Sequence, residues 1–218
     1  MSEPKIMIAV PMFHTVDTQF MTSLMGIKKV GKTQVVTLAG SLVYKARNAL
    51  ALKAIQDGFD YILWLDSDMV FEPDILEKLY AHAEDGKEYI TGIYFRRTFP
   101  TCPIISKELV WKRDEKTGMV TTNEDPYMDY PRDSVFQIKA SGFGLLLTKV
   151  SMLVEVAKRF SQSPFDPLPA FGEDYSFCWR LNRIGGEMWC DSSIKAGHIG
   201  TFIYNEQTFL DQLKEGDK

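Results

Sequence analysis

DYILWLDSDMVF, residues 60–71, decides the fold. From Tyr61 to Leu65 the run is apolar without a break, the composition of a central parallel strand covered on both faces. It then stops at Asp66, and Asp68 follows with only Ser67 between them. In open α/β sheets ligands bind beyond the carboxyl ends of the strands. A core strand ending in two carboxylates therefore delivers them to the ligand edge. Carboxylates this close repel one another unless something positive lies beside them. A divalent cation is the economical partner, because Mg²⁺ and Mn²⁺ take carboxylate oxygens and bridge them to substrate phosphates. The plainer alternative is that both residues cap a turn, where Asp is common.

On either side of this stretch, strand and helix patterns alternate. Upstream, KIMIAVPMF (5–13) reads as a buried strand ended by Pro11, and residues 17–29 carry Phe20, Leu24 and Ile27 at helical spacing. TQVVTLAG (33–40) is a second strand. LVYKARNALALKAIQDG (42–58) is the clearest helix, with a stripe of Val43, Ala46, Leu50, Ala54 and Ile55 and Gly58 as its C-cap. Downstream come a helix over 72–85 that opens with a proline and a strand over 88–97. The pattern is that of a doubly wound α/β sheet.

The second half changes character. Residues 103–123 form a hairpin with a Lys-Thr-Gly turn, and 124–133 a polar loop with aromatics. Residues 135–149 read as strand, glycine break and strand, and 150–160 as a helix. The stretch 161–172 holds three prolines and reads as a long surface loop, followed by a helix over 173–186 and a final strand over 187–194. The expected architecture is one domain over 1–218. Its sheet is mostly parallel with helices on both faces, and an antiparallel hairpin region is added.

Hydrophobic residues make up 45% of the 218, enough for a sizeable core, and the net charge is −4. That balance does not favour nucleic acid, whose binding rests on clustered Lys and Arg, although it leaves room for a local basic pocket. Cys102, Cys178 and Cys190 are odd in number and form no CxxC pair, which reads as reduced cysteine in a reducing compartment. The first ten residues lack a basic region followed by a long apolar one, and no stretch nears the roughly 18 apolar residues of a membrane span. The expectation is a cytoplasmic protein.

Several pieces keep a recognisable order: AVPMF (9–13), ARN (46–48), DYILWLDSDMVF (60–71), SGFGLLL (141–147), FGEDYSFCWRLNRIGG (171–186) and GHIG (197–200). Together they resemble the metal-dependent GT-A glycosyltransferases, most closely the family-2-like group. The resemblance implies the GT-A (nucleotide-diphospho-sugar transferase) fold. Residues of about 1–100 would bind the nucleotide sugar, and about 101–218 the acceptor.

Asp66-Ser67-Asp68 then resembles the D-x-D motif. Asp68 would hold Mn²⁺ or Mg²⁺ directly, and Asp66 would contact the ribose or donor sugar or hold the metal through water. His198, one of three histidines, occupies the family's position for a further metal ligand in a loop just after the last strand. Asp174 of Gly172-Glu173-Asp174 would be the general base of an inverting transfer, with Glu173 binding the acceptor sugar or serving as alternate base. Arg47 and Asn48 would lie against the diphosphate or the aspartates, and Pro11, Met12 and Phe13 where the family binds its nucleotide base. The implied donor is a UDP-sugar and the acceptor a saccharide or another hydroxyl compound. One departure is that no Asp or Glu lies between Thr37 and Asn48, where the family often carries an acidic base-binding motif.

From the residues alone, Asp66 and Asp68 could equally cap a turn, Glu173 and Asp174 open a helix, and Arg47 and Asn48 flank the apolar stripe in solvent. Arg96 and Arg97 could meet phosphate or lie on the surface. His82 reads as a surface residue, and His14 lacks context. Two other functions remain in view. One is a catalytically silent GT-A-fold binder of nucleotide or glycan. The other is a sugar-nucleotide pyrophosphorylase, whose glycine-rich basic loop after the first strand is missing from AVPMFHTVDT.

Overall fold

The computed structural model describes residues 3–13, 15–200 and 202–216. His14 lies outside them. The chain order is β1 (Lys5–Met12), α1 (Thr18–Gly26), β2 (Lys32–Ala39), α2 (Val43–Gln56), β3 (Tyr61–Leu65), β4 (Met69–Phe71), α3 (Ile75–Glu84) and β5 (Tyr89–Ile93). It continues with β6 (Ile105–Arg113), β7 (Val120–Pro126), β8 (Val135–Ile138), β9 (Ala140–Ser141), β10 (Leu145–Lys149), α4 (Val150–Phe160), α5 (Glu173–Arg183), β11 (Met188–Ile199), β12 (Ile203–Tyr204) and α6 (Glu206–Gly216).

The main sheet runs β12-β11-β5-β10-β3-β1-β2, with β4 and β8 added along β11. β1 pairs in parallel with both β2 and β3, and β11 with β5. β10 is antiparallel to both β3 and β5, so β1, β2, β3, β5 and β11 all point one way. The parallel core of the expected sheet is present with β10 reversed at its centre, and β4, β8 and β12 run antiparallel to β11, so the sheet as a whole is mixed. A second sheet, β7-β6-β9, is the predicted hairpin. Asp114 closes it by accepting the amides of Lys116 and Thr117 at 3.0 and 2.7 Å.

Period-two alternation sorts the strands between two apolar layers. Ile6, Ile8 and Val10 of β1 join Phe20 of α1 and Ile75, Leu76 and Leu79 of α3. Met7 and Ala9 join residues of α2, α4, α5 and α6 on the other face. Each face is thus covered by helices.

Several local expectations are corrected. β1 runs through Pro11 to Met12 instead of ending at the proline. Its pairing with β3 stops at Ala9 while pairing with β2 continues, so Pro11 sits where the strand has one neighbour and its missing N–H is tolerated. In α2, Val43 and Ile55 are exposed, whereas Arg47 is buried with Ala46, Leu50 and Ala54. The proline-rich stretch is not wholly on the surface, because Phe165 and Phe171 enter the core. The last strand is longer than expected and carries His198 inside it, paired with Met69 and Tyr204, so His198 is not in a loop. β4, β12 and α6 had no sequence expectation. Nor is His82 a bare surface residue, since its Nε2 lies 2.7 Å from the buried carboxylate of Asp191.

Candidate active site

Five strand ends meet at one rim of the main sheet. The chain leaves β1 at Phe13, β2 near Ser41, β3 at Asp66 and β5 towards Arg97, while β11 arrives with His198. With the start of α5 they line a cleft of about 410 Å³ that contains Pro11, Phe13, Arg47, Asp66, Ser67, Asp68, Glu173, Asp174 and His198. Asn48, expected beside the diphosphate or the aspartates, is missing from this cleft, and so is Arg96, whose Nη2 lies 3.5 Å from Glu124 instead. The Asn48 amide Nδ2 donates to Asp166 at 2.9 Å, and its Oδ1 accepts the Phe165 amide at 2.9 Å. Asn48 therefore pins the proline-rich loop to α2, on a different face of the helix from Arg47.

Arg47 is the cation at the centre. Its Nη2 donates to Asp66 Oδ1 at 2.8 Å and its Nη1 to Glu173 Oε1 at 2.7 Å. The side chain is 3% exposed, and its guanidinium faces the Phe143 ring at 5.2 Å. Burial disfavours its charge, but Asp66, Glu173 and Asp174 outweigh that and hold the guanidinium firmly protonated. Its Nε–H is buried with no hydrogen-bond partner.

Asp68 stands opposite. Arg97 Nη1 reaches its Oδ2 at 2.8 Å. Its other oxygen, Oδ1, is buried without a hydrogen-bond partner and has His198 Nε2 3.5 Å away. His198 Nδ1 lies 2.9 Å from the Phe95 carbonyl oxygen, an acceptor, so Nδ1 carries the hydrogen of that bond. Neutral His198 thus turns the lone pair of Nε2 towards the lone pairs of Asp68 Oδ1. Burial pushes the Asp68 carboxyl up, but a hydrogen bond from His198 when that ring is protonated, together with the Arg97 guanidinium, prevails and holds it below the usual carboxylate range.

This pair passes a test for a divalent cation. Two acceptors face each other with no hydrogen between them, and a carbonyl orients the histidine as in many metal sites. Among the described residues no group of three or more His, Cys, Asp and Glu gathers, and Asp66 Oδ1 is engaged by Arg47. A two-ligand site suits Mg²⁺ or Mn²⁺, which keep waters and substrate phosphates as their remaining ligands. It does not suit a closed structural metal site.

Gly172 precedes α5 as its N-cap, and the amide of Tyr175 donates to Asp174 Oδ1 at 2.7 Å. A Cβ at position 172 would lie 2.9 Å from that same oxygen, so glycine leaves space for the carboxylate. Asp174 keeps one side open to the cleft and is packed by protein elsewhere. Burial raises its carboxyl, Arg47 lowers it, and the nearby Glu173 raises it again, with a net position of about 6. The site therefore holds one carboxylate that stays ionised and one poised near neutrality.

Tyr94 was not singled out in the sequence, nor was the task of the glycines in SGFG. The Gly144 amide donates to the Tyr94 hydroxyl at 2.8 Å, and the Gly144 carbonyl accepts the Asp66 amide at 3.2 Å. A Cβ at Gly142 would come within 2.3 Å of that hydroxyl, and one at Gly144 within 3.0 Å of the ring. The buried tyrosine thus holds the loop that holds Asp66. The paired glycines beside an apolar strand were the available signal. The sequence leaves Arg97 open between a phosphate contact and a surface residue, and the structure puts it in the cleft.

Comparison with known proteins agrees with this architecture. The crystal structure of A197 from STIV superposes with a TM-score of 0.63 at 17% identity, covering 90% of this chain and 86% of that one. The crystal structure of GalNAc-T7 with UDP, GalNAc and Mn²⁺ superposes with a TM-score of 0.60 at 10% identity, covering 97% of this chain and 48% of that one. At these identities the likeness is one of fold, and this chain spans about half the length of the GalNAc-T7 chain. No curated protein sequence matches. Among the described residues no helix is long and apolar enough to cross a membrane. The sequence model of glycosyl transferase family 2 matches residues 27–139, a span that includes Arg47, Asp66 and Asp68. The chain has the GT-A fold, and it belongs to glycosyl transferase family 2.

Proposed function

We propose that this chain transfers a sugar from a nucleoside-diphosphate donor, a UDP-sugar, to an acceptor hydroxyl, with inversion at the anomeric carbon. The observation that carries this reading is Asp68 Oδ1, buried, unpartnered and faced by the lone pair of His198 in the cleft that also holds Asp174. Asp68 and His198 would hold a divalent cation, Mn²⁺ or Mg²⁺. When bound, that ion neutralises the donor's diphosphate, the leaving group.

The chain's own groups do the remaining work. Asp174 takes the proton of the acceptor hydroxyl as that oxygen attacks, and a carboxyl placed near 6 is well matched to a general base at neutral pH. Arg47 keeps Asp66 and Glu173 in place by ion pairs. Asp66 contacts the ribose or donor sugar, and Glu173 the acceptor sugar. Phe13, 73% exposed at the rim, offers its face to the nucleotide base together with Pro11. Ser67 lines the same cleft between the two aspartates. The whole chain acts as one domain, with residues of about 1–100 serving the donor and about 101–218 the acceptor.

A screen of nucleotide sugars for diphosphate release with Mn²⁺, with and without a glycan library, tests the reading. The anomeric linkage of any product is then read by NMR. Transfer with inverted configuration is expected. Nucleotide binding without release from any donor would instead support a silent binding protein.

A further inference from the structure

We propose that Arg97 is a stand-in cation, which occupies Asp68 while no donor is bound and passes to the donor's diphosphate when the metal takes Asp68. The inference rests on the metal-dependent reading above.

The two arginines of the cleft are built differently. Arg47 is 3% exposed and tied to two carboxylates. Arg97 is 48% exposed and makes one ion pair, to Asp68 Oδ2, with a second contact to the Ile199 carbonyl at 3.3 Å. Releasing a half-exposed guanidinium costs little, because water replaces what it loses. Its stem lies along Gly200, where a Cβ would come within 3.3 Å of Arg97 Cδ. The glycine leaves that lane clear.

Charge supplies the reason to move. One carboxylate cannot serve a divalent ion and a guanidinium equally well, and the two cations repel at such a distance. A diphosphate brings more negative charge than the metal neutralises, and its oxygens suit the planar fork of arginine. Metal alone on Oδ1 therefore binds against the repulsion of Arg97 on Oδ2, without compensation. Metal arriving with a diphosphate gives Arg97 a new anion in exchange. The two ligands then favour each other's binding, reciprocally.

If Arg97 instead merely steadied Asp68, its removal would loosen the ligand and weaken metal binding. The two roles differ in sign. Free Mn²⁺ measured by electron paramagnetic resonance, with and without UDP, reads both in the full chain. Wild type, R97A and R97Q are compared, with Asp68→Ala as the control for the site, and thermal melting checks the fold of each. In R97A and R97Q, Mn²⁺ alone should bind about 5-fold or more tightly than in wild type. UDP in the presence of Mn²⁺ should bind about 10-fold more weakly, so the coupling between the two shrinks. Mn²⁺ alone bound no more tightly in either variant, or coupling left at the wild-type value, overturns the proposal. If wild type binds Mn²⁺ neither alone nor with UDP, the metal reading falls and this inference with it. If wild type couples Mn²⁺ to UDP and both variants match it, only the role of Arg97 falls.

Discussion

Two regions supply the acids of the cleft. The turn after β3 and the start of α5 each bring a pair of carboxylates to the cleft and each tie one of them to Arg47, yet their electrostatics are opposite. Asp68 at the strand end sits below the usual carboxylate range, lowered by a hydrogen bond from His198 when that ring is protonated and by the Arg97 guanidinium beside it. Asp174 at the helix start is packed by protein and crowded by Glu173, which offsets the pull of Arg47 and moves it to about 6. Carboxyl groups driven apart in this way can divide two tasks, a permanent anion for the donor side and a proton acceptor for the other. Local sequence does not set the difference, since both pairs are short acidic motifs. It comes from which charges the rest of the chain brings to each.

If the two regions have separate tasks, their variants should fail in separate ways. The largest effect is expected for Asp174→Asn, which keeps shape and removes basicity. Transfer should slow by about 10²–10⁴-fold in kcat while Mn²⁺ and UDP still bind, as steady-state kinetics and calorimetry would read. Near-normal turnover would make the α5 motif a helix start and nothing more.

Asp68→Ala should fail at the earlier step. Removing an ionised metal ligand is expected to weaken Mn²⁺-dependent UDP binding by about 10³-fold, the equivalent of ~4 kcal/mol. UDP affinity that is the same in EDTA, in Mn²⁺ and in the variant would erase the contrast between the regions.

His198→Ala should be milder, raising the Mn²⁺ concentration needed for UDP binding by about 10–100-fold with the saturated rate nearly kept. An unchanged metal titration would return His198 to a packing role beside Phe95 and Tyr94.

The smallest effect concerns stability, and its sign distinguishes the two carboxylates. Asp174 holds its proton to about pH 6 when folded, against 3.8 as the ordinary value. The folded state binds more protons over that window, so this group lowers stability as pH rises from about 4 to 6. Asp174→Asn should therefore be more stable than wild type at pH 7 by about 1–2 kcal/mol, and the gap should close on acidification. Asp68 acts in the opposite sense, since its lowered position adds stability above the ordinary carboxylate range that is lost in acid. Denaturant melts of both proteins between pH 4 and 8 would check this. A gap that does not change with pH means that Asp174 is not perturbed in the folded protein.

The fold was largely legible because its signals are local. The apolar run of β3, the stripe of α2, the Lys-Thr-Gly turn and the glycine stops each report on residues close in sequence. The short acidic motifs could be read as candidates for the same reason, because strand ends in such sheets face ligands. Contacts between distant residues were less legible. From its own helix Arg47 could be a solvent-facing flank of the stripe or a partner of the aspartates, and what decides is that Asp66, 19 positions away, and Glu173, 126 away, reach it from both sides. Asn48, next to it, turns by the helical angle to another face and meets Asp166. Arg97 looked like either of two neighbouring surface arginines until Asp68 was placed beside it. β4 and β12 are two or three residues long and exist through pairing with β11, so no periodicity marks them. The sequence set the strands, most of the helices and the chemical types available at the rim, since those follow from local polarity and turn chemistry. Tertiary packing chose which carboxylate stays charged, which arginine is locked and which is free, because ionisation and ion pairing depend on burial and on charges that only folding brings within a few ångströms.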